Sequence, residues 1–482
     1  MLFNSFAFAV FMPIVFVIYW VIPHKYRWVL LLAASYFFYM SWNPRYAILI
    51  ILTTIVSFLC GKGIEQYRLY KKGILVCGVI IELGILFVFK YAGFAVNTII
   101  NTAALFGIHI HYNATWNLIL PVGISFYTFQ TMSYIIDIYK GEISAENHFG
   151  IYALYVSFFP QLVAGPIERP ENLLPQFREE KHFDYDSTVY GLLLIAWGLF
   201  EKIAIADALA IFVDKTFADL QTKGPLTVFI SIIFFTLQIY CDFCGYSTMA
   251  VGVAKVLGFD LMSNFKSPYL ASNVKEFWRR WHISLTSWFT DYIYIPLGGS
   301  RVCKLKHYRN IMITFLLSGL WHGANWTYII WGGIHGIYLI TGDLTRKIRS
   351  RIKDRIHINK KFGQFIGNSV TIFLVAFAWI FFRSNTLQEA RIIIEKFGSV
   401  NVENLKTDLN ILSMDRSAFV SLIPPLALLF CYDFFSQKTD VLLYIHTKIG
   451  LRSRWCIYIM FTILLVLFSV KDTAEVFIYF QF

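Results

Sequence analysis

Charge is scarce in this chain: Asp, Glu, Lys and Arg make up 15% of its 482 residues, against 57% hydrophobic ones. A soluble domain ordinarily carries about 25% charged residues, so an ordinary water-soluble protein is excluded. The sequence shows no soluble domain, no internal repeat and no low-complexity linker. Metal-ligand spacing is missing too, because the seven cysteines (60, 77, 241, 244, 303, 431, 456) lie mostly in or beside apolar segments and never at ligand spacing from a histidine. Cys241-x-x-Cys244 sits in an aromatic, membrane-like setting and reads as packing, not as a redox or zinc pair. Residues 6–22 lack both a basic n-region and a small-residue cleavage site, so they read as a retained span and not as a signal peptide.

Long apolar runs fill the space left by charge. Many approach or exceed the roughly 17–25 residues that span a bilayer, which makes the chain an all-α polytopic integral membrane protein. The net charge of +12 does not point to nucleic acid. Its basic residues sit in short loops, where positive charge marks the cytoplasmic side. Residues 24–27 and 62–72 read as cytoplasmic, and residues 346–361, with eight Lys/Arg and one Asp, read as a cytoplasmic loop able to touch lipid headgroups. Asn43-Pro44 interrupts the apolar material between the first two basic loops. Residues 93–116 contain no Lys or Arg and read as an extracytoplasmic loop with room for a short amphipathic helix. Later spans are expected near residues 118–138, 152–163, 190–208, 226–240, 370–382, 419–435 and 455–470. Residues 401–415 then form an external loop, and the C-terminus lies outside.

Residues 160–300 do not divide into clean spans. Gly165-Pro166-Ile167-Glu168-Arg169-Pro170 and residues 273–291 put charges and prolines at intermediate hydrophobicity. Irregular backbone at membrane depth is tolerated only where it is buried in protein or lines a wet cavity, so re-entrant elements around an internal chamber are expected. Residues 310–342 contain no charged side chain except the histidines His322 and His335. Both flanks of this run are basic, and Arg309 lies roughly 20 Å of helix from His322 at 1.5 Å per residue. Gly319, Gly323 and Asn325 weaken the helix there. A hairpin with His322 near mid-bilayer fits; one long tilted span is the competing reading.

A titratable imidazole in such a run is a functional hypothesis by default. Held in a low-dielectric chamber, it can act as a general base near neutral pH, although a histidine satisfied by a helix carbonyl is equally compatible with the run alone. Trp321 and Trp326 can wall the site, and Asn325 can orient a carbonyl or hydroxyl. A second histidine, His282, lies in Glu276-Phe277-Trp278-Arg279-Arg280-Trp281-His282-Ile283-Ser284. There Arg279 and Arg280 can pair with phosphates or lipid headgroups. His335 falls among glycines and reads as packing.

These residues carry a resemblance. Residues 276–301 (EFWRRWHISLTSWFTDYIYIPLGGSR), followed by residues 317–336 (LSGLWHGANWTYIIWGGIHG), resemble the bacterial branch of the membrane-bound O-acyltransferase (MBOAT) family. That branch includes the alginate O-acetyltransferase membrane subunit and its peptidoglycan-acetylating and teichoic-acid D-alanylating relatives. Leu2-Phe3-Asn4-Ser5, residues 162–169, residues 240–247 and Phe477-Ile478-Tyr479-Phe480 extend the resemblance over nearly the whole chain.

The resemblance implies an MBOAT-like bundle of about ten or more spans with re-entrant helices around a central chamber. It implies a single domain, 1–482, with N-terminal spans (1–150), a central catalytic region (151–342) and C-terminal spans (343–482), in the bacterial cytoplasmic (inner) membrane. His322 matches the family's essential histidine and His282 its second one. The implied reaction moves an acyl group, acetyl above all, from a cytoplasmic thioester such as acetyl-CoA across the membrane to an exopolysaccharide such as alginate. Arg279, Arg280, Trp321 and Asn325 are the donor-binding candidates, Tyr479 a possible acyl relay, and an extracytoplasmic SGNH-type acetyltransferase the partner. No bound cofactor or metal and no nucleic-acid partner are expected. Thr290, Cys244 and Thr248 depart from the family pattern, which bears on substrate detail. Peptidoglycan O-acetylation and teichoic-acid D-alanylation remain alternatives within the class. A membrane transporter is the alternative outside it, although matched broken helices in two halves are not visible.

Overall fold

The computed structural model describes residues 1–109, 120–356, 359–399, 401, 405–406, 408–409 and 416–470. Helix is the only regular structure among them. Seven of these helices are long and apolar enough to cross a membrane: Tyr46–Gln66, Lys71–Leu105, Tyr185–Phe217, Pro225–Val256, Lys361–Arg383, Arg416–Ser436 and Leu451–Phe468. Their outward faces are apolar. Leu451–Phe468 has no buried residue, and its Ile459, Met460, Val466 and Leu467 are each more than half exposed. Such a surface is stable against lipid and not against water. The protein is multi-pass, as its composition requires.

The chain forms two compact units, Met1–Ile195 with Ala250–Met262, and Ala196–Met249 with Ser263–Phe482. The hub of the first unit is helix Ile124–Lys140, which is buried on almost every face and packed by Tyr46–Gln66 and Lys71–Leu86. Its polar residues do not oppose burial because they bond back to their own helix: Ser133 Oγ donates to Phe129 O at 2.8 Å and Thr131 Oγ1 to Thr128 O at 3.0 Å. Asn43-Pro44 separates helices His24–Met40 and Tyr46–Gln66, as the sequence indicates.

Two expectations for this unit are corrected. Within the expected loop 93–116, residues through Leu105 are helix, and not a separate short one: helix Lys71–Leu86 runs through a π-helical turn, Phe87–Tyr91, straight into helix Ala92–Leu105. The absence of Lys and Arg reports on which side of a membrane a segment lies, not on whether it is helical. The expected span at 152–163 is instead the nine-residue helix Phe149–Ser157, followed by irregular backbone. That segment is buried in protein, so it need not span lipid. Its backbone groups find internal partners: Gln130 and Gln161 both donate to Tyr155 O, at 2.7 and 2.9 Å. Glu168 is 1% exposed; it accepts from Asn172 Nδ2 at 2.7 Å and from Met262 N at 2.5 Å.

In the second unit, helices Lys304–His322 and Trp326–Leu344 form an antiparallel hairpin. A Cβ on Gly319 would lie 2.2 Å from Tyr328 O, and one on Gly332 would lie 2.1 Å from Phe315 O. The two backbones therefore touch at two opposed rungs, which only glycine permits. At the tip, Asn325 caps the second helix by accepting from Thr327 N at 3.1 Å. The hairpin reading holds, and the single tilted span does not. Helix Lys360–Arg383 packs on the outgoing arm.

Candidate active site

His322 is the last residue of helix Lys304–His322, and Gly323 after it is extended. The break at the hairpin tip thus leaves the imidazole at a helix end, inside the unit and 3% exposed. Aromatic rings enclose it: centroids of Trp331, Trp321 and Phe382 lie 5.0, 5.0 and 5.4 Å away. The contacts with Trp331, Trp321 and Phe382 are all edge-on.

His282 arrives on a different element. The short helices Val274–Arg280 and Ile283–Phe289 are joined through Trp281 and His282, and His282 is the N-cap of the second. It is fully buried and lies edge-on to Phe243 at 4.6 Å. Its backbone is left-handed, with φ 43° and ψ 55°. For a residue with a Cβ this costs roughly 1–2 kcal/mol, so the surrounding structure must hold it. The His282 and His322 rings stand 6.3 Å apart between centroids, with Trp321 close to both. Two imidazoles in a buried aromatic enclosure are suited to proton transfer, one as base and the other as hydrogen-bond partner of a carbonyl.

The other candidates separate. Trp321 is 4% exposed and walls the pair, whereas Trp326 is 47% exposed; Trp331, Phe382 and Phe243 wall it in its place. Asn325 uses its carbonyl oxygen for the helix cap and donates its Nδ2 to Asn385 O at 2.7 Å, so its amide holds the hairpin tip. Arg280 pairs with Glu276 at 2.6 Å and reaches Ser267 O at 3.4 Å. Arg279, on the same helix, is exposed. His335 is buried edge-on to the Trp278 and Trp331 rings, at 5.0 and 5.1 Å. Cys241 and Cys244 are free thiols; Cys244 touches Thr248 at 3.8 Å, so two departures from the family pattern meet one helical turn apart. Tyr479 lies outside the described residues.

The structure also brings together residues that the sequence reading passed over. Lys202 Nζ sits between Asp207 Oδ1 and Asp242 Oδ1, 2.7 Å from each, with all three side chains about 4% exposed. Lys202 and Asp207 come together because residues Glu201–Ala206 are π-helical, a register that stacks positions five apart. The available signal was a lysine and two acids inside apolar runs. Asn310 is a second case: its Nδ2 donates to Leu297 O at 3.0 Å and Gly299 O at 3.2 Å, fixing the preceding loop to the hairpin.

Comparison with known proteins adds an independent finding. Residues 142–377 match the sequence profile of the membrane-bound O-acyltransferase family, a stretch that contains both histidines. The chain is 40% identical over 396 residues to a probable alginate O-acetylase, AlgI, of Pseudomonas syringae pv. tomato, covering 81% of this chain and 74% of that one. It is 34% identical over 438 residues to the peptidoglycan O-acetyltransferase of Helicobacter pylori, covering 83% and 80%. A more distant similarity, 28% over 249 residues and 49% and 62% of the two chains, links it to the teichoic acid D-alanyltransferase of Bacillus subtilis.

Proposed function

Because this chain belongs to the membrane-bound O-acyltransferase family, we propose that it carries acetyl groups from cytoplasmic acetyl-CoA across the bacterial inner membrane for O-acetylation of an extracytoplasmic polysaccharide, alginate or another exopolysaccharide. The observation that supports this reading most directly is the enclosed pair His322 and His282. In the proposed step, His322 takes the proton of the attacking hydroxyl as its oxygen bonds to the thioester carbonyl carbon. The carbon–sulfur bond then breaks, and the CoA thiolate leaves with the proton that His322 took, which returns the imidazole to its neutral form. His282 hydrogen-bonds the carbonyl oxygen as negative charge develops there. Donor recognition falls to Arg279, Arg280 and Trp321. Asn325 takes a supporting part, because its amide is already engaged at the hairpin tip. The outward acceptor is an SGNH-type partner enzyme, with the Tyr479 phenol as a relay that accepts and passes on the acetyl group.

His322→Ala tests the reading. Acyl transfer from labelled acetyl-CoA in membranes should fall by about 10²–10⁴-fold, the usual worth of a positioned base, with expression and membrane insertion unchanged. Near-normal transfer would sink the catalytic assignment. Tyr479→Phe should abolish both donor cleavage and export of label, because the phenol is the hydroxyl that takes the acetyl group from the thioester; full export would remove the relay. Transfer from a D-alanyl carrier thioester in place of acetyl-CoA would move the assignment to the D-alanylating branch, which the Bacillus subtilis relative represents.

A further inference from the structure

His282 occupies a backbone conformation that its own side chain does not explain. It is an N-cap whose imidazole makes no capping hydrogen bond, and it is one of two residues other than glycine with positive φ among the described residues, Ser267 (φ 43°) being the other. The two are neighbours in space through a short backbone pairing. Lys266 N donates to Arg280 O at 3.0 Å, and Ile283 N donates to Asn264 O, also at 3.0 Å. The irregular stretch 264–267 thus holds both ends of the turn that carries His282.

At the centre of that hold is Asn264, 1% exposed. Its backbone oxygen takes the N–H of Ile283, and its side-chain Oδ1 takes the N–H of Ser284 at 3.2 Å and the Ser284 hydroxyl at 2.6 Å. Its Nδ2 donates to Ser247 Oγ at 3.1 Å, tying it to helix Pro225–Val256. The first N–H groups of a helix have no partner within the helix, and a side chain at the N-cap ordinarily supplies one. Here Asn264 supplies it from outside, and the imidazole of the N-cap residue faces Phe243 and His322 and not the helix end.

We propose that Asn264 is a positioning residue for the transfer reaction: by capping helix Ile283–Phe289 in place of His282, it holds His282 in the left-handed conformation that presents its imidazole to His322. The inference rests on the catalytic reading of His282 given above. Serine, asparagine and aspartate can all accept from a helix terminus, but only a planar side chain of asparagine's length reaches both Ser284 donors. Aspartate preserves that acceptance, with the Ser247 hydroxyl turning to donate; alanine removes it.

The test compares full-length variants in membranes, with rates normalised to folded protein. Asn264→Ala should lower kcat by at least tenfold with donor KM changed less than threefold, and Asn264→Asp should recover kcat to within about fivefold of the wild type. A residue needed only for stability would reduce the amount of folded protein and leave kcat per folded molecule unchanged, which overturns the proposal. If Asn264→Ala does not reach the membrane, Ser247→Ala decides. It frees the Asn264 amide, and should lower kcat by about threefold without altering KM; an unchanged kcat counts against the proposal. His282→Ala separates the two levels. Loss of transfer there with normal kcat in Asn264→Ala overturns only the positioning role, while full transfer in His282→Ala overturns the catalytic reading beneath it.

Discussion

Trp278 donates its indole N–H to Nδ1 of His335 at 3.2 Å, with both residues buried. That single bond assigns the third histidine of the region. Its Nδ1 is an acceptor, so the ring is neutral with its proton on Nε2, and it ties helix Val274–Arg280 to the outgoing arm of the hairpin. His335 is therefore engaged in packing the two elements together, and the proposed chemistry is assigned to His282 and His322.

Replacing Trp278 with phenylalanine should cost about 1–3 kcal/mol, the penalty of leaving a buried acceptor unmet. Transfer per folded molecule should stay within about threefold of the wild type. Thermal unfolding in detergent, measured beside the transfer rate, checks this; loss of kcat with stability intact would give His335 a part in the reaction.

Lys202→Met should destabilise the protein by about 3–5 kcal/mol, because it leaves the Asp207 and Asp242 carboxylates buried without their cation. The triple variant Lys202→Met, Asp207→Asn, Asp242→Asn should recover much of that loss. Denaturation midpoints settle it, and a triple variant as unstable as the single one would mean that the charges themselves are required.

Gly332→Val should prevent the hairpin from closing, since its new Cβ would meet the Phe315 carbonyl oxygen at 2.1 Å. Gly333→Ala, one residue on, should be tolerated, because only a Leu316 methyl lies nearby, at 3.5 Å. The yield of folded protein in membranes distinguishes the two; equal yields would contradict the close backbone approach.

Arg279→Ala should raise donor KM by up to about tenfold with kcat unchanged, the expected loss of one charge-assisted contact to a phosphate. Arg280→Ala should raise donor KM by less than Arg279→Ala does, because part of the Arg280 guanidinium is already engaged by Glu276. An unchanged KM in Arg279→Ala removes it from donor binding.

Much of this was legible in the sequence. The run 310–342 gave its hairpin away through its basic flanks and the glycines around His322, and the pairing of His322 with His282 followed from family resemblance. What the sequence hid were features that depend on register and on distant partners. The π-helical turn at Glu201–Ala206 has no composition of its own, so the meeting of Lys202 with Asp207 could not be read from helical periodicity. Asn325 looked like a site residue because a polar side chain beside His322 invites that role, yet a cap uses the same chemistry. Asn264, buried in a stretch without secondary structure, carried no local signal at all. The stretch 93–116 differs for the opposite reason: its lack of basic charge points to an external loop with room for a short helix, whereas residues 92–105 continue the helix before them, a register that loop charge does not report.

The close-packed hairpin also constrains how the protein is made. Neither Lys304–His322 nor Trp326–Leu344 is among the seven helices apolar enough to cross a membrane alone, and each carries a histidine that lipid would reject. Their polar positions are sheltered only once Gly319 and Gly332 have brought the arms together. The two arms must then leave the translocon as one unit, so a nascent chain ending near Ala324 should stall as a poorly inserted species, and one extended past Leu344 should not.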